Sequence, residues 1–313
     1  MPNILTVTLN PALDLSSSLE RVIPGPKLRC TTPTVDPGGG GLNVSRAISH
    51  LGGKSLALIA LGGTVGLRLR TLLEVEGIDL LAFEIDGETR QSLAITSTIQ
   101  TEQYRFVFPG PEWAPEQVTK AMHSIENAVQ QVAILVISGS LPPGVPPGFT
   151  ATLAARLPSK KRIVVDNSGA PLDWLVENPS AIEVLRMDAT EADTLSGKVL
   201  TTRQDAADFA RNLTNRGVAK VVIIARGADG SVMAAPEGLY HSCCDVTEIR
   251  SKVGAGDSFV GAFALAMDRG ETWPEALRLG VAAAGAAVMT DGTELCQRAD
   301  TENLLQKTEI NRL

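Results

Sequence analysis

What the chain lacks excludes several large functional classes. Its 313 residues contain no G-x-x-x-x-G-K-[ST] run and no G-x-G-x-x-G after a strand-like segment. Neither a P-loop ATPase nor a dinucleotide dehydrogenase is therefore supported. It has no long basic run, and its formal net charge is −7 with a pI of about 5.1. Nucleic acid is not an expected partner. No apolar stretch reaches the roughly 20 residues of a membrane span, so no membrane partner is expected either. The first residues enter a strand-like run with no basic-then-apolar signal, and a cytoplasmic protein is expected. Cys30, Cys243, Cys244 and Cys296 form no C-x-x-C pair and no Cys/His cluster, so free thiols are expected and a zinc site is not. There is no low-complexity linker and no internal repeat.

What is present is an ordinary globular composition, 44% hydrophobic and 20% charged, in a chain long enough for one large core spanning 1–313. Short runs rich in Val, Ile and Leu recur at 4–9, 55–61, 132–137, 163–165 and 221–225. Each suits a strand buried on both faces. Segments 42–51, 67–76, 116–131, 149–157 and 205–216 between or beside them read as amphipathic helices. The alternation predicts an α/β fold with a mainly parallel sheet and right-handed crossovers. Ligands of such sheets sit beyond the C-terminal strand ends. Asn10 and Asp14, Ser138-Gly139-Ser140, Asp166-Asn167-Ser168 and Arg226-Gly227 all fall there. Two stretches, about 15–35 and 80–108, break the alternation and predict a small β-sheet standing off the main domain as a lid. A lid would keep water from a reacting phosphoryl group. Segment 276–289 is helix-like and rich in Ala and Gly, suited to close packing or to a flat ligand.

The most informative segment is Val253-Gly254-Ala255-Gly256-Asp257, followed by a helix-compatible apolar run to about Met267. A helix starting here leaves its first N–H groups free beside the positive end of its dipole, which is an anion site. A carboxylate at Asp257 suits proton acceptance better than anion binding. The simpler alternative is an Asp cap after a Gly turn. Gly38-Gly39-Gly40-Gly41 leads into a helix carrying Asn43. Four glycines are costly in entropy and make sense where backbone meets ligand; the alternative is a flexible loop. Asp14 is either a hydroxyl acceptor or a turn residue. Lys27, Arg29, Arg90 and Arg105 bring cations to the lid stretches, as phosphate forks or as solvated charge. Asp188 and Glu191 stand three apart, able to hold hydrated Mg²⁺ or simply to start a helix. Arg226-Gly227-Ala228-Asp229-Gly230 passes near a nucleotide or makes a hairpin.

Taken together, Gly38 to Asn43 and Val253 to Asp257 resemble the ribokinase-like (PfkB) carbohydrate kinases, over nearly the whole chain. Lys27-Leu28-Arg29-Cys30-Thr31, Glu102-Gln103-Tyr104-Arg105-Phe106-Val107 and Ile137-Ser138-Gly139-Ser140-Leu141-Pro142-Pro143-Gly144 are similar to the minor-type bacterial 6-phosphofructokinase branch. The 1-phosphofructokinases and tagatose-6-phosphate kinases usually carry Lys at the position of Gly40. The resemblance implies a three-layer ribokinase-like domain with a β-sheet lid that also makes a homodimer contact. It implies ATP and a phosphorylated ketohexose, foremost fructose 6-phosphate, as partners, with Mg²⁺. Asp257 would be the base, and the amides of Gly254, Ala255 and Gly256 the anion hole. Asp14, Gly39, Gly40, Asn43 and Ser140 would lie on the sugar side. Arg90 and Arg105 would hold the sugar phosphate, with Lys27 near the transferring group. Arg226, Gly227 and Gly230 would border the nucleotide, and Asp188 and Glu191 would hold the metal through water. Where these kinases read Lys-Pro-Asn-x-x-Glu, this chain has Arg186-Met187-Asp188-Ala189-Thr190-Glu191.

Overall fold

The structure is a computed structural model that describes residues 2–99, 102–246 and 248–313. Gln100 and Thr101, inside the expected 80–108 stretch, lie outside the described residues. In chain order the elements begin β1 (Ile4–Thr8), β2 (Ala12–Leu19), β3 (Thr34–Gly38), α1 (Gly40–His50), β4 (Leu56–Leu61), α2 (Gly63–Val75) and β5 (Asp79–Glu84). Then come β6 (Arg90–Ser97), β7 (Gln103–Val107), α3 (Pro115–Val129), β8 (Ile134–Ser138), α4 (Phe149–Arg156), β9 (Arg162–Asp166), α5 (Ala170–Glu177) and β10 (Val184–Asp188). The rest are α6 (Ala189–Ser196), α7 (Arg203–Asn215), β11 (Val221–Ala225), β12 (Ser231–Ala235), β13 (Gly238–Cys243), α8 (Ala255–Asp268), α9 (Trp273–Val288), α10 (Arg298–Leu305) and β14 (Glu309–Arg312).

The large sheet runs β14-β13-β12-β11-β10-β9-β8-β1-β4-β5. It is parallel from β5 across to β11 and antiparallel from β11 to β14. Alternate residues of each central strand face opposite helix layers, as the two-residue period requires. Leu5, Val7, Leu135 and Ile137 pack with α3, α4, α5, α6 and α7. Ile4, Ile134 and Val136 pack with α1, α8, α9 and α10. Three layers result, with the core on both faces of the sheet. The Ala/Gly-rich helix α9 is a close-packing element: a Cβ at Gly280 would lie 2.9 Å from the Phe259 ring of α8. From β1 the chain first builds outward through β4 and β5, then returns to β8 on the other side of β1. This reversal opens a crevice at the C-terminal ends of β1 and β8.

A second sheet, β3-β2-β6-β7, stands over that crevice. Its composition corrects the expected lid boundaries in two places. Residues 80–84 belong to β5, paired in parallel with β4 at the edge of the large sheet. As an edge strand it keeps no fully buried residue, unlike the wholly buried β1 and β8. The segment Lys27 to Thr31 is not a strand, although Thr31 N–H still donates to Ser18 O. Pro24, Pro26 and Pro33 remove backbone donors around it, and regular pairing with β2 starts only at Thr34. The four cysteines are all free, and no helix among the described residues is long and apolar enough to cross a membrane.

Candidate active site

A cleft of about 360 Å³ lies between the small sheet and the C-terminal ends of the parallel strands. Asp14 of β2, Arg90 of β6 and Arg105 of β7 line it from one side. Gly39 and Asn43 at the start of α1, with Gly254 and Asp257 at the start of α8, line it from the other.

Gly254 caps α8 at φ 77, a conformation that side chains resist, and a Cβ there would come 2.6 Å from Leu295. The amides at the start of α8, on Gly254, Ala255 and Gly256, have no acceptors within the helix. A Cβ on Gly256 would sit 3.1 Å from Arg186 Nη1, so that guanidinium abuts the same turn. Arg186 donates to Asp166 Oδ1 at 3.0 Å, and its buried Nε has no partner among the described residues. Burial works to lower the Arg186 pKa, but the charge and hydrogen bond of Asp166, with help from Glu191 and Asp257, leave it raised. The helix dipole and this cation together make the start of α8 strongly attractive to an anion.

Asp257 accepts a hydrogen bond on Oδ2 from Asn43 Nδ2 at 2.9 Å. Burial pushes its carboxyl up to about 6. Asp166 and Asp14 push in the same direction, while the Asn43 hydrogen bond and Arg186 hold it back. Such a carboxylate is charged at neutral pH and a better proton acceptor than an ordinary aspartate. Across the cleft, burial also raises the Asp14 pKa, against the Ser92 hydrogen bond and the charges of Arg90 and Arg105. Arg90 is held by backbone, donating from Nε to Asn10 O at 3.1 Å and from Nη1 to Phe108 O at 3.4 Å. Asn10 in turn donates to Ser140 Oγ at 3.1 Å, bridging the ends of β1 and β8.

The structure therefore brings together Asp14, Gly39, Asn43, Arg90, Arg105, Gly254 and Asp257 at one cleft. Other expected residues sit apart. Lys27 is exposed in the loop between β2 and β3 and does not line the cleft. Gly40 is turned into the protein, where a Cβ would meet Ser138 Oγ at 2.5 Å and Gly139 N at 2.6 Å. The glycine run thus serves close backbone packing at this residue. Arg226, Gly227 and Gly230 form the β11–β12 hairpin. Arg226 Nε, Nη1 and Nη2 donate to Asp229 Oδ2, Leu200 O and Thr201 O at 3.0, 2.9 and 3.0 Å. Three of its five N–H groups are thus taken by protein, which fixes the guanidinium against the hairpin and leaves one N–H on each terminal nitrogen. Asp188 and Glu191 form a capping box: Asp188 Oδ1 accepts from Glu191 N, and Glu191 Oε2 accepts from Asp188 N. One oxygen of each carboxylate remains, and burial raises the Glu191 pKa. No three His, Cys, Asp or Glu side chains among the described residues converge to chelate a metal. Two leftover oxygens suit a hydrated Mg²⁺ held through water, since that ion keeps several waters and takes few carboxylates.

Arg46, Asp36 and Thr293 carry contacts that sequence reasoning did not find. Thr293 Oγ1 donates to Asp36 Oδ2 at 2.8 Å, tying the loop after α9 to β3 of the small sheet. Asp36 and Thr293 have no periodicity or motif to link them, and only the fold brings them together.

A profile of the pfkB family carbohydrate kinases matches residues 8–300. The ATP-dependent 6-phosphofructokinase isozyme 2 of Escherichia coli (strain K12) is 37% identical over 97% of this chain and 98% of its own. The isozyme of the same name from Mycobacterium tuberculosis is 35% identical over 97% of this chain and 89% of its own. A crystal structure of the Escherichia coli phosphofructokinase-2 in complex with fructose-6-phosphate superposes with a TM-score of 0.89. It is 34% identical, covering 98% of this chain and 99% of that one.

Proposed function

Because the chain belongs to the pfkB family of carbohydrate kinases, we propose that it transfers the γ-phosphoryl group of ATP to the C1 hydroxyl of fructose 6-phosphate. The products are fructose 1,6-bisphosphate and ADP. The observation that carries this reading is the position of Asp257 in the first turn of α8, opening on the same cleft as Asp14, Arg90 and Arg105. A proton acceptor and an anion-binding helix start lie on one wall, and a phosphate-binding pair of arginines on the other.

Each group has a task in that reaction. Arg90 and Arg105 hold the phosphate that the sugar already carries, and Asp14 accepts from a sugar hydroxyl. Asp257 takes the C1 hydroxyl proton as the oxygen attacks phosphorus. The amides of Gly254, Ala255 and Gly256 receive charge that develops on the equatorial oxygens, with Arg186 behind them. Mg²⁺, held through water near Asp188 and Glu191, would neutralise charge on the ATP phosphates. The hairpin at Gly227 to Gly230 borders the nucleotide. The small sheet serves as the lid, and its exposed Phe106, Val107 and Phe108 fit the face of a second copy, giving a homodimer. Gly40 supports fructose 6-phosphate as substrate, because its packing on Ser138 and Gly139 leaves no room for the Lys found at this position in 1-phosphofructokinases and tagatose-6-phosphate kinases.

The test is ADP release from MgATP with fructose 6-phosphate, tagatose 6-phosphate and fructose 1-phosphate in parallel, with Mg²⁺ titrated. A clear preference for fructose 6-phosphate is expected. An Asp257→Asn enzyme should bind both substrates and turn over about 10² to 10⁴-fold more slowly. Sugar binding without product from any of the three would refute the proposal and leave a sensor of sugar phosphates.

A further inference from the structure

Arg46, on α1, is a buried cation, and nothing in the chemistry above uses it. It forks onto Glu76 just past the end of α2, with Nε to Oε2 at 2.7 Å and Nη2 to Oε1 at 3.0 Å. Its remaining terminal nitrogen, Nη1, donates to Pro37 O at 3.2 Å and to Asn43 Oδ1 at 3.4 Å. Asn43 then donates from Nδ2 to Asp257 Oδ2 at 2.9 Å. A continuous line of hydrogen bonds runs from Glu76, at the protein surface, to the cleft.

The direction of every bond in that line is forced. A guanidinium has only donors, so the end of the Asn43 amide facing Arg46 must be its oxygen. An ionised carboxylate only accepts, so the end facing Asp257 must be the NH₂. Turning the amide over would set donor against donor on one side and acceptor against acceptor on the other. With Oδ2 occupied by Asn43, Oδ1 of Asp257 has no hydrogen bond among the described residues and is the oxygen available for a proton. The Pro37 contact adds a second constraint: it pins the end of β3 immediately before the glycine run that shapes the cleft.

We propose that Arg46 is a positioning residue: it locks the Asn43 amide, through it selects Oδ1 of Asp257 as the proton acceptor, and anchors the end of β3 to α1 where the small sheet joins the main domain. The proposal rests on the reading of Asp257 as the base. Without Arg46 the Asn43 amide turns freely, its hydrogen bond to Asp257 is lost part of the time, and the carboxylate samples rotamers that face away from the hydroxyl. The other charges that Asp257 senses, on Asp166, Arg186 and Asp14, are left in place.

The test compares wild type, Arg46→Met, Arg46→Lys, Asn43→Ala and the double variant Asn43→Ala with Arg46→Met. Arg46→Met should lower kcat about 10 to 100-fold, the usual cost of a misplaced reacting group, with KM for the sugar changed little. The acid limb of its kcat/KM profile should move to higher pH, because the Asn43 hydrogen bond that holds the Asp257 pKa down is weakened. Arg46→Lys, which keeps a donor, should recover part of the rate. The double variant should be no slower than Asn43→Ala alone. A lower melting temperature with wild-type kcat and pH profile would overturn the proposal, as would full multiplication of the two single losses. If Arg46→Met does not fold, Glu76→Gln weakens the same fork and should move kcat and the acid limb in the same directions. If wild type phosphorylates none of the three sugars, the kinase reading fails but this proposal is still decided. The Asp257 pKa is then read from the pH dependence of the stability difference between wild type and Asp257→Asn. The same difference is measured in the Arg46→Met background. There the pKa should be higher, and an unchanged value would overturn the proposal.

Discussion

Replacing Asp257 by Asn should slow turnover by about 10² to 10⁴-fold and, at neutral pH, make the protein more stable. The sign follows from burial. The folded state raises the pKa of this carboxyl from 3.8 to about 6, so the folded protein holds a proton there that the unfolded chain has already lost. Between these two values the unfolded state gains by ionising and the folded state does not. Stability supplied at low pH is therefore lost as pH rises to about 6, and above that the loss is constant. At about 1.4 kcal/mol per pH unit the full cost is a ceiling of about 3 kcal/mol. Asp257 opens on the cleft, where water reaches it, and the realised value should be about 1 to 2 kcal/mol. Asparagine keeps the shape and a partner for Asn43 but carries no charge. Urea unfolding of both proteins from about pH 4.5 to about pH 8.5, a window that brackets the raised pKa, measures the difference. The gain from Asp257→Asn should grow through the first half of that range and be flat in the second. A variant less stable than wild type at the alkaline end, or a gain independent of pH, would refute the idea that the start of α8 strains a carboxylate for the sake of its basicity.

Three further outcomes are expected. Gly40→Ala should cost about 1 to 3 kcal/mol in a denaturant melt, since its Cβ would press on Ser138 Oγ and on the Gly139 backbone, which cannot swing away; a neutral result would mean that the glycine run is not clamped between β1 and β8. Arg105→Ala should raise KM for fructose 6-phosphate about 10-fold or more and leave KM for ATP nearly unchanged, as measured by ADP release, because it lines the cleft from the small sheet, the wall that the proposal gives to the sugar phosphate. Asp166→Asn removes a charge that raises the Asp257 pKa and frees Arg186 to lower it further, so the acid limb of kcat/KM should move to lower pH; a shift upward would contradict the assigned electrostatics. The same change removes the ion-pair partner of a buried cation, for which the usual cost is about 3 to 5 kcal/mol, and the charges of Glu191 and Asp257 that still face Arg186 should keep it at the low end in urea.

The parallel core is legible because its strands are buried on both faces and read as bare Val, Ile and Leu runs. Segments 4–9, 132–137 and 221–225 correspond to β1, β8 and β11 within two residues. β10 is not legible in the same way, because Arg186 stands in its middle and Asp188 at its end, and both break the apolar run. Those two charges are there for other reasons. Arg186 reaches Asp166 and the first turn of α8, and Asp188 caps α6. The edge strand β5 reads as part of the lid because none of its residues is fully buried and both its ends are charged, unlike the bare runs of the central strands.

The cleft is legible through Gly39, Asn43 and Asp257 because they stand at or in the first turns of α1 and α8, where helix starts need particular residues, and through Asp14 because it follows β1 closely as a lone acid in an otherwise apolar stretch. Lys27 and Arg226 carry no such constraint. A cation in a loop declares its charge but not where its side chain goes. Lys27 stands in solvent, and Arg226 turns three of its five N–H groups to Asp229 and two carbonyls. The same limit works in reverse at Arg46, which reads as one more charge on an amphipathic helix, since nothing in the sequence joins it to the distant Glu76. A sequence names the groups able to do chemistry. The partners that fix their orientation are named by the fold, and for a base that must present one oxygen to one hydroxyl, orientation decides the rate.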